Sequence, residues 1–186
     1  MKLQLTLDHG KYHEMIGLAD VMADHVDVLE IGFPQVVTFG LGLVKEIRAA
    51  HPDLTLCVDC KVFHGGTGVT TRCFEAGADI VTVLSGAPDP VIAKMVEKAH
   101  GYGGKVMCDM AATPRTTGKR TAEVDQLGVD YVMVPSGFIP EYDYDLEAHR
   151  RSFLRPKVRP LDLAGVVRRN LRTAKLAVHT GINETN

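Results

Sequence analysis

Three stretches of the sequence decide its fold: HVDVLEIG (residues 25–32), GADIVTVL (77–84) and GVDYVMVP (128–135). In each stretch an aspartate precedes a short apolar run, and the stretches recur at an interval that fits two strand–helix units. Because each aspartate comes before its strand, it lies at the amino end of that strand. Active sites of parallel α/β folds lie at the opposite end, where the strands finish. We therefore expect Asp27, Asp79 and Asp130 to be structural caps.

Apolar runs occur seven times along the chain, and most are near-continuous in Val, Ile, Leu and Met. They are Leu3–Asp8, Val26–Gly32, Leu54–Lys61, Asp79–Leu84, Lys105–Met110, Asp130–Pro135 and Lys175–Thr180. Helical stretches separate them, for example Tyr12–Asp24, Val36–Ala50, Thr67–Ala76, Pro90–Gly101 and Thr116–Leu127. Such runs are typical of parallel strands buried on both faces, so the alternation predicts an α/β fold with a parallel sheet.

Two kinds of parallel sheet fit this alternation, an open doubly wound sheet and a closed (βα)8 barrel. No Gly-x-Gly-x-x-Gly follows the first strand, which disfavours a dinucleotide-binding sheet. Polar residues instead collect where many strands end, as in the active sites of barrels. They are Asp8, Glu30, Asp59, Lys61, Asp109, Ser136, His179 and Thr180. The sequence therefore predicts a TIM-type (βα)8 barrel.

We expect a single barrel domain over residues 1–186, with only about seven strand–helix units visible and the eighth apparently lacking. Residues 138–160 form a long, polar, proline-containing connection. Connections of that length are usually functional or mobile.

Composition excludes several classes of protein. The chain has 21 Lys plus Arg against 23 Asp plus Glu, so its net charge of −2 gives no footprint for nucleic acid or an anionic membrane. No apolar run is long enough for a spanning helix, and the first residues read as a strand rather than a signal peptide. The four cysteines include one Cys-x-x-Cys, at Cys57 and Cys60, but it lies inside a strand. We expect reduced thiols and a cytoplasmic location.

The strand ends carry the pattern of a known family. MKLQLTLD (1–8), VDVLEIGFP (26–34) and VDCKVFHGG (58–66), with FEAGADIVTVL (74–84) and GGKVMCDM (103–110), resemble the 3-hexulose-6-phosphate synthase and 3-keto-L-gulonate-6-phosphate decarboxylase group of the orotidine 5′-monophosphate decarboxylase superfamily. The resemblance covers residues 1–137, is weak over 138–174 and resumes at 175–183. Its most specific element is Asp-x-Lys-x-x-Asp followed by Gly-Gly, which here runs from Asp59 through Lys61 to His64.

The resemblance implies a Mg²⁺-dependent carbon–carbon lyase that acts on a sugar phosphate through an enediolate. The roles it implies are metal binding by Glu30 and Asp59, catalysis by Lys61, His64 and Asp109, and substrate binding by Asp8, Ser136, Gly137, Thr180 and Gly181. It also implies a homodimer, in which the third-strand motif reaches the active site of the partner.

Physical chemistry supports part of this assignment. Alternate residues of a strand point to the same side, so Asp59 and Lys61 both face the barrel mouth and hold each other charged. Glu30 ends the neighbouring strand, and Mg²⁺ is commonly held by one or two carboxylates together with water and substrate oxygens. The alternative is that these acids, and Asp109 above all, only cap the helices that follow them.

Several residues depart from the family pattern. His64 replaces the second acid of the motif, and a histidine exchanges protons near neutral pH more readily than an aspartate. Pro135-Ser136-Gly137 stands where the family has His-Thr-Gly, and His179-Thr180-Gly181 stands where it has Ala-Gly-Gly. Phe33 replaces a small polar residue. These changes make altered specificity or lost activity real alternatives.

Three functions therefore remain open. The first is an aldol reaction of formaldehyde with ribulose 5-phosphate, as in 3-hexulose-6-phosphate synthase. The second is decarboxylation like that of 3-keto-L-gulonate 6-phosphate, which forms the same enediolate by losing CO₂. The third is a non-catalytic paralogue with a binding role. The arginines of residues 150–172 either grip a phosphate or form a solvated helix face.

Overall fold

The computed structural model describes residues 1–112, 117–134 and 160–178. They form one sheet of seven parallel strands in sequential order. The strands are β1 (Gln4–Leu7), β2 (Val28–Ile31), β3 (Thr55–Val62), β4 (Ile80–Leu84), β5 (Lys105–Asp109), β6 (Tyr131–Val134) and β7 (Lys175–Val178). Every one lies within a predicted apolar run or within one residue of it. The predicted barrel class is confirmed, as a half-barrel of parallel strands.

Helices connect the strands in the described part of the chain. They are α1 (Tyr12–Met22), α2 (Phe33–Phe39), α3 (Leu41–Ala50), α4 (Gly66–Glu75), α5 (Asp89–Gly101), α6 (Thr117–Gln126) and α7 (Pro160–Asn170), with a 3₁₀ turn at Met110–Ala112. None of these helices is long and apolar enough to cross a membrane.

One predicted helix is wrong, because Val36–Ala50 is two helices rather than one. The break falls at Gly40, whose φ of +65° ends α2 and starts α3. Glycine adopts that backbone conformation without the steric cost that a side chain would bring. The helix α7 was not predicted, and most of the long connection, residues 138–159, lies outside the described residues. The extent of the domain stays a prediction.

The core has two layers, one on each face of the sheet. The larger layer packs the sheet against the helices. The smaller layer lies on the inner face and consists of Val28, Cys57, Ile80, Met107 and Met133. Since side chains alternate along a strand, the residue two positions after each of these also faces inwards. That rule places Glu30, Asp59, Thr82 and Asp109 on the inner face, towards the carboxyl ends of β2 to β5.

The predicted structural role of the repeated aspartates is confirmed at the opposite end of the sheet. Each one accepts a backbone N–H from the strand before its own. The bonds are Leu3 to Asp27 (2.8 Å), Leu56 to Asp79 (2.7 Å) and Val106 to Asp130 (2.9 Å). Each aspartate therefore ties two neighbouring strands together at their amino ends.

Asp125, in α6, similarly accepts backbone N–H groups at the amino end of β7. Its buried carboxylate accepts the N–H groups of Arg172, Thr173 and Ala174, just before β7 begins, together with the Thr173 hydroxyl. Burial by itself would raise the pKa of Asp125, but these hydrogen bonds outweigh it and hold the pKa below its usual value.

Candidate active site

The centre of the candidate site is the ammonium group of Lys61. Its Nζ lies 3.0 Å from Asp59 Oδ2 and 2.9 Å from Asp109 Oδ2. Both carboxylates are almost fully buried, whereas Lys61 is partly exposed. Burial by itself would lower the pKa of Lys61, but the carboxylates of Asp109 and Asp59 outweigh it and raise the pKa well above the ordinary lysine value. The site therefore keeps a fixed positive charge at neutral pH.

The backbone at Lys61 has an unusual conformation. The pairing of β3 with β4 shifts register between Val58 and Val62, and Lys61 has a φ of +44°. It is the only non-glycine residue with a positive φ in the described ranges. Such a conformation costs about 1–3 kcal/mol and persists only where its surroundings impose it. Its occurrence at the central residue supports a functional origin.

Thr82 of β4 is the contact that holds this conformation, and sequence reasoning missed it. Its fully buried hydroxyl accepts the Lys61 N–H at 2.9 Å and donates to Asp59 Oδ1 at 2.6 Å. One side chain thus fixes both the strained backbone and the orientation of the acid. The signal in the sequence was a single polar residue within the strand IVTVL (80–84), on the inward phase of β4.

Glu30 lies on the strand next to β3 and is 1% exposed. Its Oε2 accepts the hydroxyl of Thr6 at 2.9 Å and the side-chain amide of Gln4. Register pairs Glu30 with Cys57, two residues before Asp59 on the same face. Glu30 and Asp59 are thus buried carboxylates on adjacent strands, as the sequence predicts for a metal pair.

The donor set fits a hard divalent cation. Carboxylate oxygens suit Mg²⁺, which needs only one or two of them when water and substrate supply the rest. Asp59 and Asp109 share one ammonium among the residues described, so the group carries excess negative charge that a cation beside Asp59 would offset. Within the same residues no group of three or more His, Cys, Asp or Glu side chains could hold a metal by itself.

Asp109 caps the turn that follows it and also contacts Lys61. Its Oδ1 accepts the N–H of Ala111 at 2.8 Å, which caps the 3₁₀ turn after β5. Its Oδ2 binds Lys61 at the same time. Capping fixes the carboxylate, and the fixed carboxylate then orients the ammonium.

Asp8 follows β1 and packs closely against Gly32. A Cβ atom at position 32 would lie 1.9 Å from Asp8 Oδ1, so any larger residue there would displace the Asp8 carboxylate. Gln35 donates its side-chain amide to the Asp8 carbonyl at 2.7 Å, which fixes the turn after the strand. The carboxylate is half-buried at the same end of the sheet as Glu30.

The remaining predicted residues are not brought into this cluster. His64 is exposed in the loop between β3 and α4, and it makes no hydrogen bond or ion pair with other described residues. Ser136, Gly137, Thr180 and Gly181 lie outside the described residues, as do Pro135 and His179. Of the basic stretch, Arg168 and Arg169 fall in the last turn of α7.

Residues 1–137 match the sequence profile of the orotidine 5′-phosphate decarboxylase / HUMPS family. The chain belongs to this family. Among curated relatives, the 3-hexulose-6-phosphate synthase of Bacillus subtilis (strain 168) is 35% identical over 182 residues, covering 98% of this chain and 80% of the relative. A counterpart in Staphylococcus epidermidis is 33% identical with the same coverage. Relatives of this kind are aldehyde-lyases, so the family member described here is a carbon–carbon lyase.

Solved structures give the same picture. The 3-hexulose-6-phosphate synthase from Salmonella typhimurium superposes with a TM-score of 0.82 at 28% identity, covering 98% of this chain and 80% of that one. The 3-keto-L-gulonate-6-phosphate decarboxylase from Vibrio cholerae superposes with a TM-score of 0.77 at 22% identity, covering 97% and 78%. The second likeness concerns the fold alone.

Proposed function

We propose that the protein is a Mg²⁺-dependent sugar-phosphate lyase that joins formaldehyde to ribulose 5-phosphate through an enediolate, or runs the reverse reaction. The observation that carries this proposal is the Lys61 ammonium held between two buried carboxylates at the carboxyl end of the sheet. It occurs in a chain that is 35% identical to a 3-hexulose-6-phosphate synthase over nearly its whole length.

The chemistry needs a fixed positive charge where negative charge develops. Removal of a proton from C1 of ribulose 5-phosphate leaves an enediolate, and C1 then forms a bond to the carbonyl carbon of formaldehyde. The new alkoxide takes up a proton to complete the hexulose phosphate. Lys61 stabilises the enediolate because its charge is already in place before the reaction begins. Glu30 and Asp59 would hold Mg²⁺, which supplies a Lewis acid for the sugar oxygens.

The other predicted residues complete this scheme as part of the proposal. His64 exchanges the protons, since a histidine serves as acid and base near neutral pH. Asp8 binds sugar hydroxyls from its half-buried position beside Gly32. Ser136, Gly137, Thr180 and Gly181 bind the rest of the substrate and its phosphate.

We also propose a homodimer with shared active sites, because His64 is exposed and makes no hydrogen bond or ion pair with other described residues. Large apolar side chains are exposed on either side of it, with Phe63 at 52% and Val69 at 36%. An interface through the third-strand motif would cover both and would bring His64 towards the site of a second copy. Sedimentation at micromolar concentration should show a dimer, and a strict monomer contradicts the shared site.

The decisive experiment measures both candidate reactions with one preparation. Formaldehyde consumption with ribulose 5-phosphate tests the aldol reaction, and CO₂ release from 3-keto-L-gulonate 6-phosphate tests the decarboxylation. The Lys61→Met variant is the matched control, because it keeps the length of the side chain and removes the charge. We expect Mg²⁺-dependent aldol activity that the variant lacks. Activity only in the second assay would establish the decarboxylase. The absence of both activities, together with the absence of a Mg²⁺-dependent thermal shift, would favour the non-catalytic paralogue.

A further inference from the structure

Two cysteine side chains meet behind the candidate site. Cys60 of β3 and Cys73 of α4 place their Sγ atoms 3.3 Å apart, and both thiols are free. Cys60 is half-buried and packs against the helix-facing layer of the core, whereas Cys73 is 1% exposed. The contact therefore links the strand that carries Asp59 and Lys61 to the helix that follows it.

This pair differs from the Cys-x-x-Cys that the sequence displays. Cys57 faces the inner layer of the core, and Cys60 faces the helices, so these two thiols lie on opposite faces of β3. A disulfide has a sulfur–sulfur bond of about 2.05 Å, so Cys60 and Cys73 need to approach by only about 1 Å. The segment between them contains Gly65 in a left-handed conformation, which gives the chain a turn there.

We propose that Cys60 and Cys73 are a modification site, a dithiol that low-molecular-weight disulfides of the glutathione class convert reversibly to a disulfide. Cys60, the partly exposed thiol, gives up its proton as it attacks the small disulfide, forms a mixed disulfide and releases one reduced thiol. Cys73 then attacks the Cys60 sulfur and releases the second one. Two protein thiols are oxidised, one small disulfide is reduced to two thiols, and the two protons pass to those products.

Exposure decides this order of events. Cys60 is half-buried, so a small disulfide can reach it, whereas Cys73 is 1% exposed and lies 3.3 Å from the Cys60 sulfur that it attacks in the second step. Cys57 and Cys108 differ, since both are fully buried and inaccessible to an oxidant.

The disulfide would act on the site through the backbone. Cys60 lies between Asp59 and Lys61, so a movement of its side chain towards α4 pulls on the strained segment that Thr82 holds. An effect on turnover rests on the proposed function, but formation of the disulfide does not. The test is therefore chemical, and it stays valid if the protein proves to catalyse nothing.

The experiment incubates the full-length protein with oxidised glutathione and counts thiols before and after reduction with dithiothreitol. Trypsin cleaves after Lys61 and after Arg72, so the expected disulfide joins the peptide 49–61 to the peptide 73–94. The thiol count should fall by two and recover fully on reduction. Cys60→Ser and Cys73→Ser should each abolish the linked peptides, and Cys108→Ser should leave them unchanged.

Two results would overturn the proposal. One is a wild-type protein that keeps all its thiols under oxidising conditions in which a reference dithiol peptide is converted. The other is a linkage that persists in Cys60→Ser, which would mean that Cys57, on the same tryptic peptide, is the partner.

Discussion

The two ends of the sheet use acidic residues in different ways. At the amino ends, Asp27, Asp79 and Asp130 each accept a backbone N–H group and have partly or fully exposed side chains, and Asp79 and Asp130 also pair with Arg48 and His100. At the carboxyl ends, Glu30, Asp59 and Asp109 are buried, and side chains are prominent among their partners. A backbone donor is used up within the fold, whereas a side-chain donor such as the partly exposed Lys61 ammonium is accessible to a ligand. The first arrangement serves stability, and the second suits the chemistry that we propose.

The largest expected effect, and the strongest test of this comparison, is that of Asp59→Asn on turnover. The amide keeps the shape of the side chain but removes a metal ligand and a partner of Lys61, so Mg²⁺-dependent turnover should fall by about 10³-fold or more. Because the amide keeps the shape of the side chain and the aspartates at the amino ends are untouched, the circular dichroism spectrum should stay unchanged. Full turnover in this variant, or turnover that a chelator leaves unchanged, would contradict the metal assignment.

The next largest effect concerns His64, which the structure leaves exposed. If His64 carries the proton transfers, His64→Ala should lower kcat by about 10²–10⁴-fold, the usual contribution of general acid–base catalysis. His64→Asp restores the acid of the family pattern and is the informative companion variant. Higher activity in the aspartate variant together with unchanged activity in the alanine variant would show that His64 marks a loss of function.

At the amino end, Asp125→Asn should affect stability and spare catalysis. The amide cannot accept all the N–H groups before β7, so the free energy of unfolding at pH 7 should drop by about 2 kcal/mol. The lowered pKa of Asp125 means that its contribution is complete above the ordinary aspartate pKa and is lost as the pH falls through the folded-state value. Urea unfolding at pH 7 and pH 3 should therefore show a larger difference between the variant and the wild type at pH 7 than at pH 3. Asp53→Asn, at an exposed position, should show no difference at either pH.

The smallest expected effect tests whether Thr82 positions the site. Thr82→Val removes the hydroxyl at nearly constant volume, so kcat should drop about tenfold, while Thr82→Ser keeps the hydroxyl and should retain most of it. A purely structural role would lower the melting temperature of Thr82→Val without changing kcat per folded molecule.

The sequence predicted the strands and the residues at their ends because both follow from local patterns. Apolar runs fix where β1 to β7 lie, and alternation fixes which side of β3 carries Asp59 and Lys61. The sequence could not reveal hydrogen-bond partners that depend on how the elements pack. Thr82 looks like an ordinary strand threonine until β4 is placed beside the bulge in β3. The contact between Cys60 and Cys73 depends in the same way on how α4 packs against its strand.

Glycine explains why the predicted helix Val36–Ala50 is divided into α2 and α3. A helical hydrophobic period continues through Val36–Ala50, and only the positive φ of Gly40 divides it. A glycine is compatible with either a continuous or a broken helix, so its position alone did not decide the matter. At Gly32 the preference for glycine comes instead from a tertiary contact, because a side chain there would displace the Asp8 carboxylate across the turn.

The repeated aspartates have a consequence for how the chain acquires its structure. Each one joins a strand to its immediate successor, so β1 with β2, β3 with β4, and β5 with β6 form three units whose contacts are local in sequence. Units with such low contact order close quickly, and they tend to open as cooperative blocks. Under native conditions, amide hydrogens within one unit should then exchange with solvent at a common rate. We predict that the boundaries between such blocks fall at the junctions β2–β3 and β4–β5, which none of these three aspartate side chains bridges.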